Sequence, residues 1–176
     1  SSDVCSSDLR TNSPLTDALA EWGVRTVHFS LDTFDPTLYD RLSRSKGQHR
    51  RQLAGLENAL RHPDLRTYVY TSVTRWTEDA VEQLIGGVAA MAATLGCPPP
   101  PVIVSVVKPV GDALTHADEL LLPPEAGGVL ARRAVEAARA AGVSVGFRNI
   151  QACLAPELVP YFVDYYLDDY TVDVTT

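Results

Sequence analysis

The chain has 176 residues, 45% hydrophobic and 21% charged, which suits one domain with a sizeable core. Its 22 acidic residues outweigh 15 basic ones for a net charge of -7, and with no basic stripe to meet phosphates a nucleic-acid partner is excluded. No apolar run reaches the ~18 residues of a membrane span, the opening residues lack the basic start and apolar stretch of a secretory leader, and three cysteines without framework spacing lead us to expect a reducing compartment, the cytoplasm.

In chain order, residues 1–9 repeat Ser-Ser-Asp and follow neither a helical nor a strand period. They resemble an in-frame translation of a sequencing-library adaptor, so the expectation is an artefactual or disordered tail. On that expectation Cys5 is not a biological cysteine, and the natural chain continues upstream of about Arg10. A polar turn ending in Pro14 precedes a helix over 15–22, where Leu15, Leu19 and Trp22 share a face and Gly23 supplies the stop. A strand follows, with Val24, Val27, Phe29 and Leu31 matching the pattern of a strand buried on both faces. It ends in the polar Ser30-Leu31-Asp32. Asp35-Pro36 then signals a helix start, a carboxylate to cap free N–H groups followed by proline at the first helical position.

A short helix over 36–42 leads through a polar loop, 43–47, to a helix over 49–61 with Leu53, Leu56 and Leu60 on one face. His62-Pro63 ends it. Residues 66–74 have the β-branched and aromatic content of a strand. Thr77-Glu78-Asp79 is expected to cap a helix running to about Leu95. Gly96-Cys97 and four prolines at 98–101 form a stiff loop before the most strand-like run, 102–107, which ends in Lys108-Pro109-Val110-Gly111. A loop to Leu122, a helix over 124–141 stopped by Gly142, and a short strand over 143–147 ending at Arg148-Asn149 come next. Residues 157–170, with Leu158, Tyr161, Phe162, Tyr165 and Tyr166, are predicted to form an amphipathic aromatic helix.

Strand ends therefore recur near Ser30, Thr74, Lys108 and Arg148, at intervals of roughly 40 residues, as a succession of βα units with a parallel sheet would have. Periodicity does not separate an open doubly wound sheet from a barrel, but no Gly-rich turn follows any strand, which disfavours a dinucleotide or P-loop site. Polar residues at the carboxyl ends of such strands face the site rather than the core. Ser30 and Asp32 alternate out of their strand and so point the same way. His28, His49, His62 and His116 have no ligand spacing and read as structural or surface residues.

The order Thr11-Asn12, helix, Ser30-Leu31-Asp32, Asp35-Pro36 and Tyr39-Asp40-Arg41-Leu42 resembles the radical S-adenosylmethionine (radical SAM) superfamily. Members commonly show Thr-Asn-Gly at one strand end and Ser-x-Asp at the next; Ser13 stands here in place of the glycine. Tyr70-Thr71-Ser72-Val73-Thr74 and Lys108-Pro109-Val110-Gly111 are similar to the family's next two strand ends, so the resemblance covers about residues 10–150. It implies an α/β fold, a partial (βα)6 TIM-like barrel lacking its first βα units. It also implies a bacterial-type enzyme in which a reduced [4Fe-4S] cluster cleaves SAM to a 5′-deoxyadenosyl radical. The family's cluster ligands are spaced Cys-x3-Cys-x2-Cys. Cys5, Cys97 and Cys153 do not have that spacing, so the cluster is expected in an upstream segment and the chain by itself is expected to be inactive.

By the same resemblance Asn12, Ser30, Asp32, Arg41 and Gly111 contact SAM: a hydroxyl and a carboxylate suit its ribose and ammonium, a guanidinium suits its carboxylate, and a glycine admits the adenine closely. Lys108, Arg148 and Asn149 fall on the substrate side. Gln151-Ala152-Cys153-Leu154 is similar to the start of an auxiliary-cluster segment in peptide-modifying members, which makes Cys153 either such a ligand or a small buried thiol. Expected partners are a small-molecule or peptide substrate and an electron donor such as a flavodoxin or ferredoxin. The organisation implied is a tail (1–9), a barrel part (10–148) and a C-terminal extension (149–176). Two other readings stand beside this one. An iron-free (βα)-barrel lyase or aldolase would use Lys108, the one strand-end lysine, as its base. A degenerate barrel would serve only as a binding partner.

Overall fold

The structure is a computed structural model that describes Val4–Cys5 and residues 13–163. Its sheet is parallel throughout. Strands β1 (Val4–Cys5), β2 (Thr26–Ser30), β3 (Arg66–Val73), β4 (Val102–Val106) and β5 (Val145–Arg148) lie side by side in chain order. The two-residue β1 pairs Val4 with Val27 and Cys5 with His28. Past β5 the chain makes two 3-10 turns, Ala152–Leu154 and Pro156–Tyr161, and Phe162 then bridges to Phe147 in parallel. The described part of the aromatic segment is thus 3-10 and then extended, because Pro160 removes a helical N–H donor. Tyr165 and Tyr166 lie outside the described residues.

The helices begin and end where local chemistry directs. In α2 (Pro36–Ser43) the Asp35 carboxylate accepts from Thr37 N at 2.8 Å, and Pro36 occupies the first helical position. Helix α3 (His49–Arg61) stops at His62, whose backbone is extended ahead of Pro63. Helix α4 (Val81–Leu95) is entered through a 3-10 turn, Glu78–Ala80, and Thr77 does not cap it. The Thr77 hydroxyl accepts instead from Thr74 N at 2.9 Å, closing the turn after β3. Helix α7 (Pro124–Ala141) ends at Gly142, whose φ of 67° only glycine adopts without strain. The stretch expected as a plain loop before α7 holds two single turns, α5 (Asp112–Thr115) and α6 (Ala117–Leu120).

All major helices lie on one side of the sheet. Helix α1 (Ser13–Glu21) packs on α3, α3 on α4, and α4 on α7, in chain order. On that side Val27, Phe29, Leu31, Val69, Val73, Val102, Val104 and Phe147 are buried in one core with Leu56, Leu84, Ile85, Val88 and Leu130. Each fully buried leucine or isoleucine contributes about 1.5–3 kcal/mol by removal from water. Ile150, Ala155, Leu158 and Phe162 join the same core from beyond β5.

The sheet's other face is more open. Thr26, His28 and Ser30 alternate with buried neighbours along β2, as do Tyr68, Tyr70 and Ser72 along β3. The expectation that β2 is buried on both faces is corrected here: among the described residues helices cover one face only. On the open side His28 stacks on Tyr68 with ring centres 5.5 Å apart and lies 5.1 Å from Tyr70, while the Arg66 guanidinium covers Tyr68.

Candidate functional site

Register places the polar strand ends in one row on the open face. Ser30 pairs with Tyr70, Tyr70 with Ile103, and Ile103 with Gly146. One step further along, Ser72 pairs with Ser105 and Ser105 with Arg148. Asp32 completes this outer row from β2: its Oδ1 accepts from Ser72 N at 2.8 Å and from the Thr71 hydroxyl at 3.4 Å. The carboxylate supplies the acceptor that a longer β2 would have offered to β3. Burial pushes the Asp32 carboxyl above its ordinary value of 3.8, against the lowering effect of the Ser72 and Thr71 hydrogen bonds. Its Oδ2 takes no hydrogen bond from the described residues.

Helix α3 fixes the end of β2 from beneath. Gln52 Nε2 donates to Ser30 O at 2.7 Å, and the His49 ring sits 3.2 Å from Thr33 O. Both side chains are buried, and Gln52 Oε1 has no hydrogen-bond partner among the described residues. His49 is thus structural, as the sequence suggests.

Strands β4 and β5 are locked at their ends by Asn149. Its Nδ2 donates to Ser105 Oγ and to Val106 O, each at 3.1 Å. Its φ of 62° is left-handed, a region asparagine tolerates better than other side-chain-bearing residues. The row borders a cavity of about 430 Å³ lined by Tyr70, Ser72, Ser105, Lys108, Arg148 and Asn149 among others.

The sequence-derived residues divide accordingly. Ser30 is exposed at the end of β2, Asp32 lies just past that end against Ser72 N and the Thr71 hydroxyl, and Lys108, Arg148 and Asn149 meet around the cavity. Arg41, exposed on α2, lies 4.7 Å above the centre of the Trp76 ring, so its charge is engaged in a cation–π contact at the same end of the sheet. Gly111 opens α5 with φ 55° and does not line the cavity, although Val110 and Ala113 do. Cys153 is exposed on its 3-10 turn, which corrects the buried-thiol alternative. Asn12 lies outside the described residues. Among the described residues no three His, Cys, Asp or Glu side chains form a metal-holding group, and no helix is long and apolar enough to cross a membrane.

Ser105 and Trp76 also belong to this end of the sheet and carry no motif, whereas Tyr70 and Ser72 lie in the strand end Tyr70-Thr71-Ser72-Val73-Thr74 that the resemblance includes without giving either a role. The signal for the serines was their phase: each stands on the open side of its strand, which becomes a shared row only once strand register is known.

No family model matches the chain, and no curated protein matches it.

Proposed function

We propose that this chain is part of a radical SAM enzyme, with the carboxyl ends of β2 to β5 forming the wall that receives SAM and substrate. The observation that carries the reading is the row Ser72, Ser105 and Arg148 across three consecutive parallel strands, with Asp32 joined to Ser72 N from just past the end of β2. The proposal extends to the finer architecture, a partial (βα)6 barrel. In its favour, strands run in chain order, helices pack in one layer, and Phe162 continues the parallel sheet beyond β5. A sheet wound in one direction curls towards a barrel, whereas a doubly wound sheet reverses order and takes helices on both faces.

The residues present suit SAM. A desolvated carboxylate with one oxygen uncommitted, Asp32, fits the ammonium or the ribose hydroxyls, and an exposed hydroxyl, Ser30, ends the strand two residues before it. Arg41, held by Trp76, supplies a guanidinium for the SAM carboxylate. The [4Fe-4S] cluster would be held by cysteines of the longer protein, since Cys97 and Cys153 stand apart from one another in the sheet's connections; no step is derived through it. When bound, it supplies the electron that cleaves SAM. Lys108 is exposed, so it is not desolvated as an activated Schiff-base lysine is, which tells against the aldolase reading.

The test is anaerobic reduction of the longer protein containing this chain, with 5′-deoxyadenosine as the product measured. The expected result is SAM cleavage that drops at least about tenfold when Ser30→Ala and Asp32→Ala are combined, the loss of one or two charge-assisted hydrogen bonds. Unaltered cleavage in the double variant removes these residues from the site, and no 5′-deoxyadenosine at all from the intact protein sinks the reading.

A further inference from the structure

We infer that the carboxyl end of the sheet holds a binding site for a small organic anion with an apolar body, its carboxylate at Lys108 and its hydrocarbon between Leu121, Leu122, Ile150 and Leu154. A second cavity, of about 540 Å³, opens on the other side of the end of β4. It shares Val106, Val107, Lys108 and Asn149 with the polar cavity, so the two adjoin along one rim. Its volume lies in the range of about 300–1,000 Å³ typical of small-molecule pockets.

The two halves differ in chemistry. The larger cavity is walled by Leu121, Leu122, Pro123, Ile150 and Leu154, all apolar, whereas the smaller one presents Ser72, Ser105 and Arg148. Lys108 stands on the shared rim, and its ammonium has no ion-pair partner among the described residues. Among the described residues no carboxylate lines either cavity. That charge pattern rejects cations and favours an anion. The first turn of α7 borders the apolar cavity through Pro124 and Gly127. A hydrocarbon chain placed among the four side chains leaves water, and a carboxylate at its other end then meets the Lys108 ammonium on the shared rim.

As a substrate site this rests on the proposed function above; as a binding site it does not, and the test keeps the two apart. Octanoate is the probe, with octan-1-ol and acetate as its two halves, each titrated calorimetrically into the full chain. Octanoate should bind at a single site, and both controls should bind at least about tenfold more weakly, since each lacks either the charge-assisted contact or the buried hydrocarbon. Lys108→Glu, an exposed change that leaves the core untouched, should weaken octanoate at least about tenfold, and Leu122→Asp should do the same from the apolar side. Equal binding of octanoate and octan-1-ol, wild-type affinity in Lys108→Glu, or no octanoate binding overturns the inference. Octanoate binding without SAM cleavage by the longer protein leaves it standing and overturns the proposed function, and the converse result overturns this inference alone.

Discussion

At the residue scale, Asp32 ties β2 to β3 through Ser72 N while bearing a desolvated charge. Its raised pKa means that the folded state favours the protonated form more than the unfolded chain does. The associated stability is complete at pH below the unfolded value and is lost as pH rises through the higher folded value. Asp32→Asn keeps an acceptor for Ser72 N and removes the charge. Its stability relative to the wild type should therefore rise as pH increases from below 4 towards neutrality, as read by urea denaturation at each pH; a constant difference would rule this out. Asp32→Ala leaves Ser72 N without its acceptor and should lie about 1–3 kcal/mol below Asp32→Asn at neutral pH. The exposure of Ser30 was legible in the sequence because alternation is local to one strand. Ser72 and Ser105 were not, because a serine's place in a row depends on the register of strands that are distant in the chain.

Among the elements, α4 joins the site to the body of the fold. Phe34, two residues past Asp32, lies against Gly87 of α4, where an added Cβ would come within 2.5 Å of the ring. Alanine is the better helix former by about 1 kcal/mol, but here overpacking should outweigh that gain. Gly87→Ala is expected to destabilise by about 1–3 kcal/mol and to shift the backbone amide resonances of Asp32 and Thr33. On its opposite side α4 meets α7 through Arg133, whose guanidinium engages both oxygens of Glu82 and approaches Asp79 at 3.5 Å. These groups are partly solvated, so Arg133→Ala should cost only about 0.2–1 kcal/mol in thermal or chemical denaturation. Helices α3 and α7 were legible to their end residues, since His62-Pro63 and Gly142 are unambiguous stops. The entry to α4 was not: Thr77 carries the composition of a cap, yet its hydroxyl is drawn into the turn with Thr74 and Ser72.

Over the whole molecule, a parallel sheet in chain order with helices on one side concentrates stability between two layers. The segment after β5 belongs to that core. Phe162 is buried and meets Phe147 edge to face with ring centres 6.1 Å apart. Phe162→Ala should accordingly cost about 3–5 kcal/mol in urea unfolding, and a change below about 1 kcal/mol would place the segment outside the cooperative unit. The α/β class was readable from the recurring strand ends, whereas the side on which the helices lie depends on crossovers that no local pattern encodes. The geometry has an optical consequence. The two tryptophans stand at opposite ends of the sheet, Trp22 ahead of β2 and 74% exposed, Trp76 just past β3 beneath the Arg41 guanidinium. Trp22→Phe leaves a single emitter beside the strand ends. Iodide quenching and emission wavelength in that variant then report, without any label, each molecule that displaces Arg41 or dries the ring.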